Sequence, residues 1–293
     1  MLSAYLYYPI YCSLILGMIS CSCCLAIRLQ TSYQTTQKLS VEDVCLIMSW
    51  AFIITTQVII LWALDHAGLG CHIWYLNEKT VSIYQKLLLS VFCSFVSGMY
   101  LTRLSQLIFL YRVIIISDTQ WLRTVLVAVI VLITLGSCTL VAFFVFACRP
   151  ISKSWNIAHP GKCINKAAIF VSVAVFNIIS DFCLIGLLVL LIWNIQLSNS
   201  HRKKFFILSS LACLSAYPNS TTSDIAKEYR TFIASAVRLR FTVPLLHSED
   251  LTYKMAPVAL LVGIEANVII ITVCFPAIRQ SIRRTALSTS MRF

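Results

Sequence analysis

The sequence predicts an all-α fold, a polytopic bundle of seven transmembrane helices with helix six interrupted by a polar insert. Seven long apolar stretches, most of them bounded by basic residues, are the first ground for this. The run from Trp121 to Phe146 carries a single charge, Arg123, near its edge. A hydrocarbon slab about 30 Å thick takes roughly 20 helical residues at about 1.5 Å each. The second ground is composition: the 293 residues are 59% hydrophobic and 12% charged, against about 25% charged in soluble domains. The third is continuity. Only helices and closed barrels satisfy every backbone group in lipid, and unbroken apolar runs do not fit the alternating pattern of a barrel.

In order, helix one is expected from Tyr5 to Ile27, closed by Arg28, and helix two from Asp43 to Leu64. A loop with Gly68, Gly70, Cys71, His72 and Trp74 leads to helix three, Ile83 to Tyr111. Helix four covers Trp121 to Phe146 and helix five Ala168 to Trp193. Helix six begins as a short apolar piece, Phe205 to Ser215, and resumes at Thr231 to Leu239. Between them lies a polar insert, Ala216 to Arg230. Charges at mid-membrane depth are costly, so the insert reads as translated intron sequence in preference to a broken helix lining a cavity. Within it, Asn219-Ser220-Thr221 matches a glycosylation sequon that matters only if the loop is real. Helix seven covers Met255 to Ile278. Residues 1–285 read as one transmembrane domain and 286–293 as a short basic tail.

A net charge of +12 would suggest nucleic acid in a soluble protein. Here most of the basic residues fall at helix ends and in loops, where they orient a chain in the bilayer, so no nucleic-acid partner is expected. Counting Arg238 and Arg240 with the outer loops leaves only a small bias between the two sides. The densest clusters, His201 to Lys204 and the C-terminal arginines, place the N-terminus outside and the C-terminus in the cytoplasm, with the plasma membrane the expected location. The first apolar run reads as an uncleaved signal anchor.

A set of landmarks then falls in order along residues 20 to 285. Arg28 closes helix one, Glu42-Asp43 opens helix two, and Gly68-Leu69-Gly70 with His72 marks the next loop. Arg103-Leu104-Ser105 and Tyr111-Arg112 lie in helix three. Cys148-Arg149-Pro150, Ser154-Trp155 and Gly161-Lys162-Cys163 mark the loop after helix four, and Asn177 and Asp181 lie in helix five. Ala234 to Leu239 closes helix six, and Glu265 with Phe275-Pro276-Ala277-Ile278-Arg279 defines helix seven. In these landmarks the chain resembles the fungal rhodopsin-like domain proteins, a group of seven-helix membrane proteins that includes satratoxin-cluster and receptor-like members. The resemblance implies a receptor-like, non-enzymatic sensor, with a heterotrimeric G protein as a possible cytoplasmic partner and an unknown small molecule as ligand. Rival readings are a secondary-metabolite transporter and a membrane-embedded enzyme using Asp181 or Glu265 as an acid. The insert at 216–230 has no counterpart in the group.

Arg103, Asp181 and Glu265 are the charges nearest the middle of their helices, where ionisable groups face the bundle interior and pair. Asn177 sits one turn before Asp181 and shares its face. Together these four form a candidate intramembrane cluster, either a polar ligand pocket or a packing device. Cys148 and Cys163 fall in one outer loop and are candidates for a disulfide, with Cys71 as the competing partner. Pro150 and Trp155 belong to the same loop motif. Cys24 is a candidate for palmitoylation or simply a small residue of a membrane helix. His66, Cys71 and His72 fit no zinc spacing, so no metal is expected. Helix seven has a lysine only at its rim, Lys254, so no retinal Schiff base and no cofactor are expected.

Overall fold

The computed structural model describes residues 4–37, 39–116, 120–155, 160–194, 233–247 and 250–290. Five helices come first: α1 (Ala4–Thr36), α2 (Val41–His66), α3 (Glu78–Ile116), α4 (Gln120–Val145) and α5 (Lys166–Asn194). The helical piece 233–242 is α6, and α7 is Leu251–Ser290. Six of these, all but α6, are long and apolar enough to cross a membrane. The polar insert 216–230, Asn219 and the cluster 201–204 lie outside the described residues.

α3 runs five residues beyond expectation at each end, and two other helix ends differ further. α1 continues past Arg28 to Thr36, because a charge at the membrane rim ends burial in lipid without ending the helix. α7 runs on to Ser290 through residues expected to form a tail. Residues 279–290 contain neither glycine nor proline, so no strong helix breaker stops the helix.

Apolar burial alone does not hold helices together in lipid; close backbone approach and interhelical hydrogen bonds do. The broadest contact is α2 on α3. There Ser49 Oγ donates to the Gly98 carbonyl at 2.8 Å, and a Cβ on Gly98 would come within 2.9 Å of Ile53. α1 lies along α7 in the same manner, with Gly17 against Asn267 and Gly263 against Leu14. Asn267 Oδ1 in turn accepts from Gln57 Nε2 at 2.7 Å, so one amide ties α2 to α7 beside α1. Outward faces remain apolar, as at Leu16, Leu132 and Leu135, which suits contact with acyl chains.

At one end of the bundle a short hairpin, β1 (Cys148–Arg149) with β2 (Lys162–Cys163), carries the Cys148–Cys163 disulfide. The α2–α3 loop turns at Gly68 and Gly70, whose φ angles are +69° and +85°, a region glycine enters without strain. That turn lets the Gly70 N–H reach the Thr252 carbonyl at 3.0 Å. His72 pairs with Asp250, and its ring lies between Trp74 and Tyr253. The α2–α3 loop is thereby clamped to the start of α7.

Candidate functional site

The mid-bundle charges meet. Arg103 is 2% exposed and spans from α3 to α5: its Nη1 donates to Asn177 Oδ1 at 2.8 Å and its Nη2 to Asp181 Oδ1 at 2.9 Å. The four-residue offset of Asn177 and Asp181 puts both acceptors on one face of α5. Arg103 Nη2 also reaches the Asn177 carbonyl at 3.3 Å. Glu265 on α7 does not pair directly with Arg103. Its partner is Arg238 on α6, with Nη1 to Oε2 at 2.9 Å.

Ser235 completes the assembly. Its hydroxyl lies 3.0 Å from Asp181 Oδ2 and 2.7 Å from Glu265 Oε1, so the two ion pairs form one network across α3, α5, α6 and α7. Two guanidiniums face two carboxylates, and the side chains of all four are at most 3% exposed. Such burial is tolerated when charges balance and pair.

Arg238 therefore corrects the sequence reading that counted it among outer-loop charges. The segment is apolar on its other faces apart from the exposed Arg240, and Arg238 faces the bundle, where Glu265 compensates it. A signal existed. Ser235, Arg238 and Thr242 recur at intervals of three and four within an apolar stretch, one polar stripe along a helix, and all three are buried. Arg240, counted with Arg238, is exposed.

Toward the disulfide end, the network borders a cavity of about 710 Å³ counted with its open mouth. Its walls come from α2, α3, α5, α6 and α7 and are apolar, including Leu88, Phe92, Phe170 and Met255. Of the network, only Arg238 lines it; the cluster foreseen from the sequence lies beside the cavity and does not form its wall. Arg238 Nε and Nη2 have no hydrogen-bond partner among the described residues, and neither has the buried hydroxyl of Tyr84, a second wall residue. The guanidinium carbon lies 5.2 Å from the centroid of the Phe95 ring.

The hairpin stands over the same end. Cys148 and Cys163 face each other in register and are bonded, and Cys71 is free. Pro150 opens the 3-10 turn Ile151–Ser154, and Trp155 closes it. Lys166 Nζ ties the turn to α3 through the Ser154 carbonyl at 2.9 Å and Gln85 Oε1 at 2.8 Å. Among the described residues no three His, Cys, Asp or Glu side chains converge as metal ligands; His66 stacks on Trp62 instead.

At the opposite end a second ion network joins α1, α2 and α3. Arg28 pairs with Asp43 at 3.3 Å and with Glu42 at 3.8 Å, and Arg112 reaches Glu42 at 2.8 Å. Arg28 also donates to the Val273 carbonyl of α7.

Neither a curated protein nor a solved structure matches the chain. Residues 27–284 match the fungal rhodopsin domain, a span that takes in both ion networks, the hairpin and the cavity walls. The chain is a multi-pass membrane protein and belongs to the fungal rhodopsin domain family.

Proposed function

We propose that the chain is a receptor-like sensor of a small molecule, non-enzymatic, with the disulfide end outside the plasma membrane and the C-terminus in the cytoplasm. One observation carries the reading: the apolar cavity shares Arg238 with a charge network that touches four helices. Its apolar walls, with few polar groups among them, are of the kind that holds a small lipophilic ligand. An occupant that engages Arg238 alters the pull on Glu265 and, through Ser235, on Asp181 and Arg103. A ligand shifts a conformational equilibrium only through contacts that differ between states, and this arrangement supplies such a contact inside the bundle. α7 offers no lysine between Met255 and Phe275, so the ligand is held without a Schiff base and no cofactor is invoked. The cytoplasmic partner in this reading is a heterotrimeric G protein.

The test is a luciferase-complementation assay between the chain and a co-expressed Gα subunit. Glu265→Gln discharges one of the two ion pairs, and the milder Ser235→Ala cuts the link between them. At matched surface amounts, at least one is expected to change the basal signal by about fivefold, the lower size of a typical coupling. A basal signal equal to wild type in both variants, or no association with any Gα tried, counts against the receptor reading.

A further inference from the structure

We infer that the cavity takes an uncharged lipophilic molecule bearing a carbonyl-type acceptor, held by Arg238 and Tyr84. The inference rests on the cavity being the ligand site, as proposed above, and it concerns what that site selects.

Two residues of the cavity wall carry buried polar atoms without partners among the described residues, and all of these atoms can donate. Arg238 Nε and Nη2 are buried without partners among the described residues, and a guanidinium has no acceptor atom. Tyr84, 3% exposed, presents a hydroxyl that is likewise unpartnered. Thr242, the other hydroxyl in the wall, already donates to the Arg238 carbonyl at 2.8 Å. Buried donors without acceptors are costly, so a pure hydrocarbon fills the volume and leaves that cost standing. Water needs two to four polar partners to stay in a cavity, and these walls are otherwise Leu88, Phe92, Phe170, Met255 and similar apolar residues.

Charge narrows the class further. The adjoining network is already neutral, with Arg103 and Arg238 facing Asp181 and Glu265. A carboxylate placed against Arg238 would compete with Glu265 for one guanidinium and leave a net negative charge at mid-membrane depth. A cation would lie against the Arg238 guanidinium and add a second positive charge to an already neutral network. A ketone, ester or lactone carbonyl accepts from Arg238 or Tyr84 and adds no charge, while its hydrocarbon body meets the apolar walls. That carbonyl has two possible sources, a free molecule or the ester linkage of a bilayer lipid.

The experiment compares dodecan-2-one, dodecanoate and dodecane as probes. The full chain is reconstituted in nanodiscs of ether-linked phosphatidylcholine, which has no carbonyl, and the thermal midpoint is followed against probe concentration. The ketone is expected to raise the midpoint most, the alkane less and the carboxylate least. Tyr84→Phe, which keeps the ring and its packing, is expected to weaken half-saturation by the ketone about fivefold, the loss of one net hydrogen bond, and to leave the alkane unchanged. The series is repeated in ester-linked discs. Loss of the ketone response there identifies a bilayer ester as occupant, and persistence identifies a free molecule; both keep the carbonyl. A carboxylate that outbinds the ketone, or a Tyr84→Phe variant that binds it as wild type does, overturns this inference and leaves the cavity reading intact. No response to any probe in ether-linked discs overturns the cavity reading itself.

Discussion

The two ion networks solve different problems with the same residue types. At the centre, Arg103, Arg238, Asp181 and Glu265 have side chains at most 3% exposed, and their charges face one another across four helices. At the rim, Arg112 pairs with Glu42 while its own side chain is 55% exposed. Arg28, at 11%, stands between these extremes. Long basic side chains near helix ends reach the interface and keep some hydration; those at mid-depth depend wholly on protein partners. The number of interactions per arginine is similar in both places, so the cost of losing one should track depth, not contact count.

The central network is most exposed to a single substitution at Arg238. Arg238→Met leaves Glu265 with Ser235 alone and is expected to cost about 3–5 kcal/mol, the range for breaking a buried pair. Reversible unfolding in mixed micelles would measure it. Adding Glu265→Leu should recover most of that loss, because removing both charges leaves no uncompensated ion; a double variant as unstable as the single one would mean that packing, not charge, is what Arg238 supplies. Asp181→Asn ranks next, at about 2–3 kcal/mol. Arg103 then keeps Asn177 and a neutral amide, so its hydrogen bonds are partly retained while the counter-charge is lost.

These residues also show which parts of the molecule were legible in the sequence. Lipid dictates the length of a span, so apolar runs announce helices directly. A charge within such a run is conspicuous, which is how Arg103, Asp181 and Glu265 were found and why Asn177 followed from its spacing. Arg238 failed the same test because the polar insert next to it truncates the apolar run, and a charge beside a polar stretch reads as loop. The His72–Asp250 clamp joins residues 178 positions apart, and neither neighbourhood marks the other. The cavity was illegible for a different reason. Leu88, Phe92 and Met255 look like any core residues, and a void exists only in how five helices fail to close around it.

Arg28 is the best-connected arginine of the rim network. Its side chain meets Glu42, Asp43 and the Val273 carbonyl, binding α1 to α2 and α7 within reach of the interface. Arg28→Met is expected to cost about 1–2 kcal/mol, below either central variant, because the two carboxylates left behind can draw water. A loss equal to that of Arg238→Met would show that this end is as dry as the centre.

Arg112 sets the lower limit. Glu42 keeps Arg28 as a partner when Arg112 is removed, and an exposed pair contributes about 0–1 kcal/mol. Arg112→Ala should therefore change stability by less than about 1 kcal/mol. What remains should be sensitive to salt, because at about 0.15 M the Debye length is only about 8 Å. Titrating sodium chloride across the unfolding assay separates the two networks without disturbing the fold: the Arg112→Ala difference should shrink toward zero as salt rises, while the Arg238→Met difference stays constant. If both differences fall together, ions reach the mid-bundle charges, and Arg238 is hydrated from the cavity instead of held dry by Glu265.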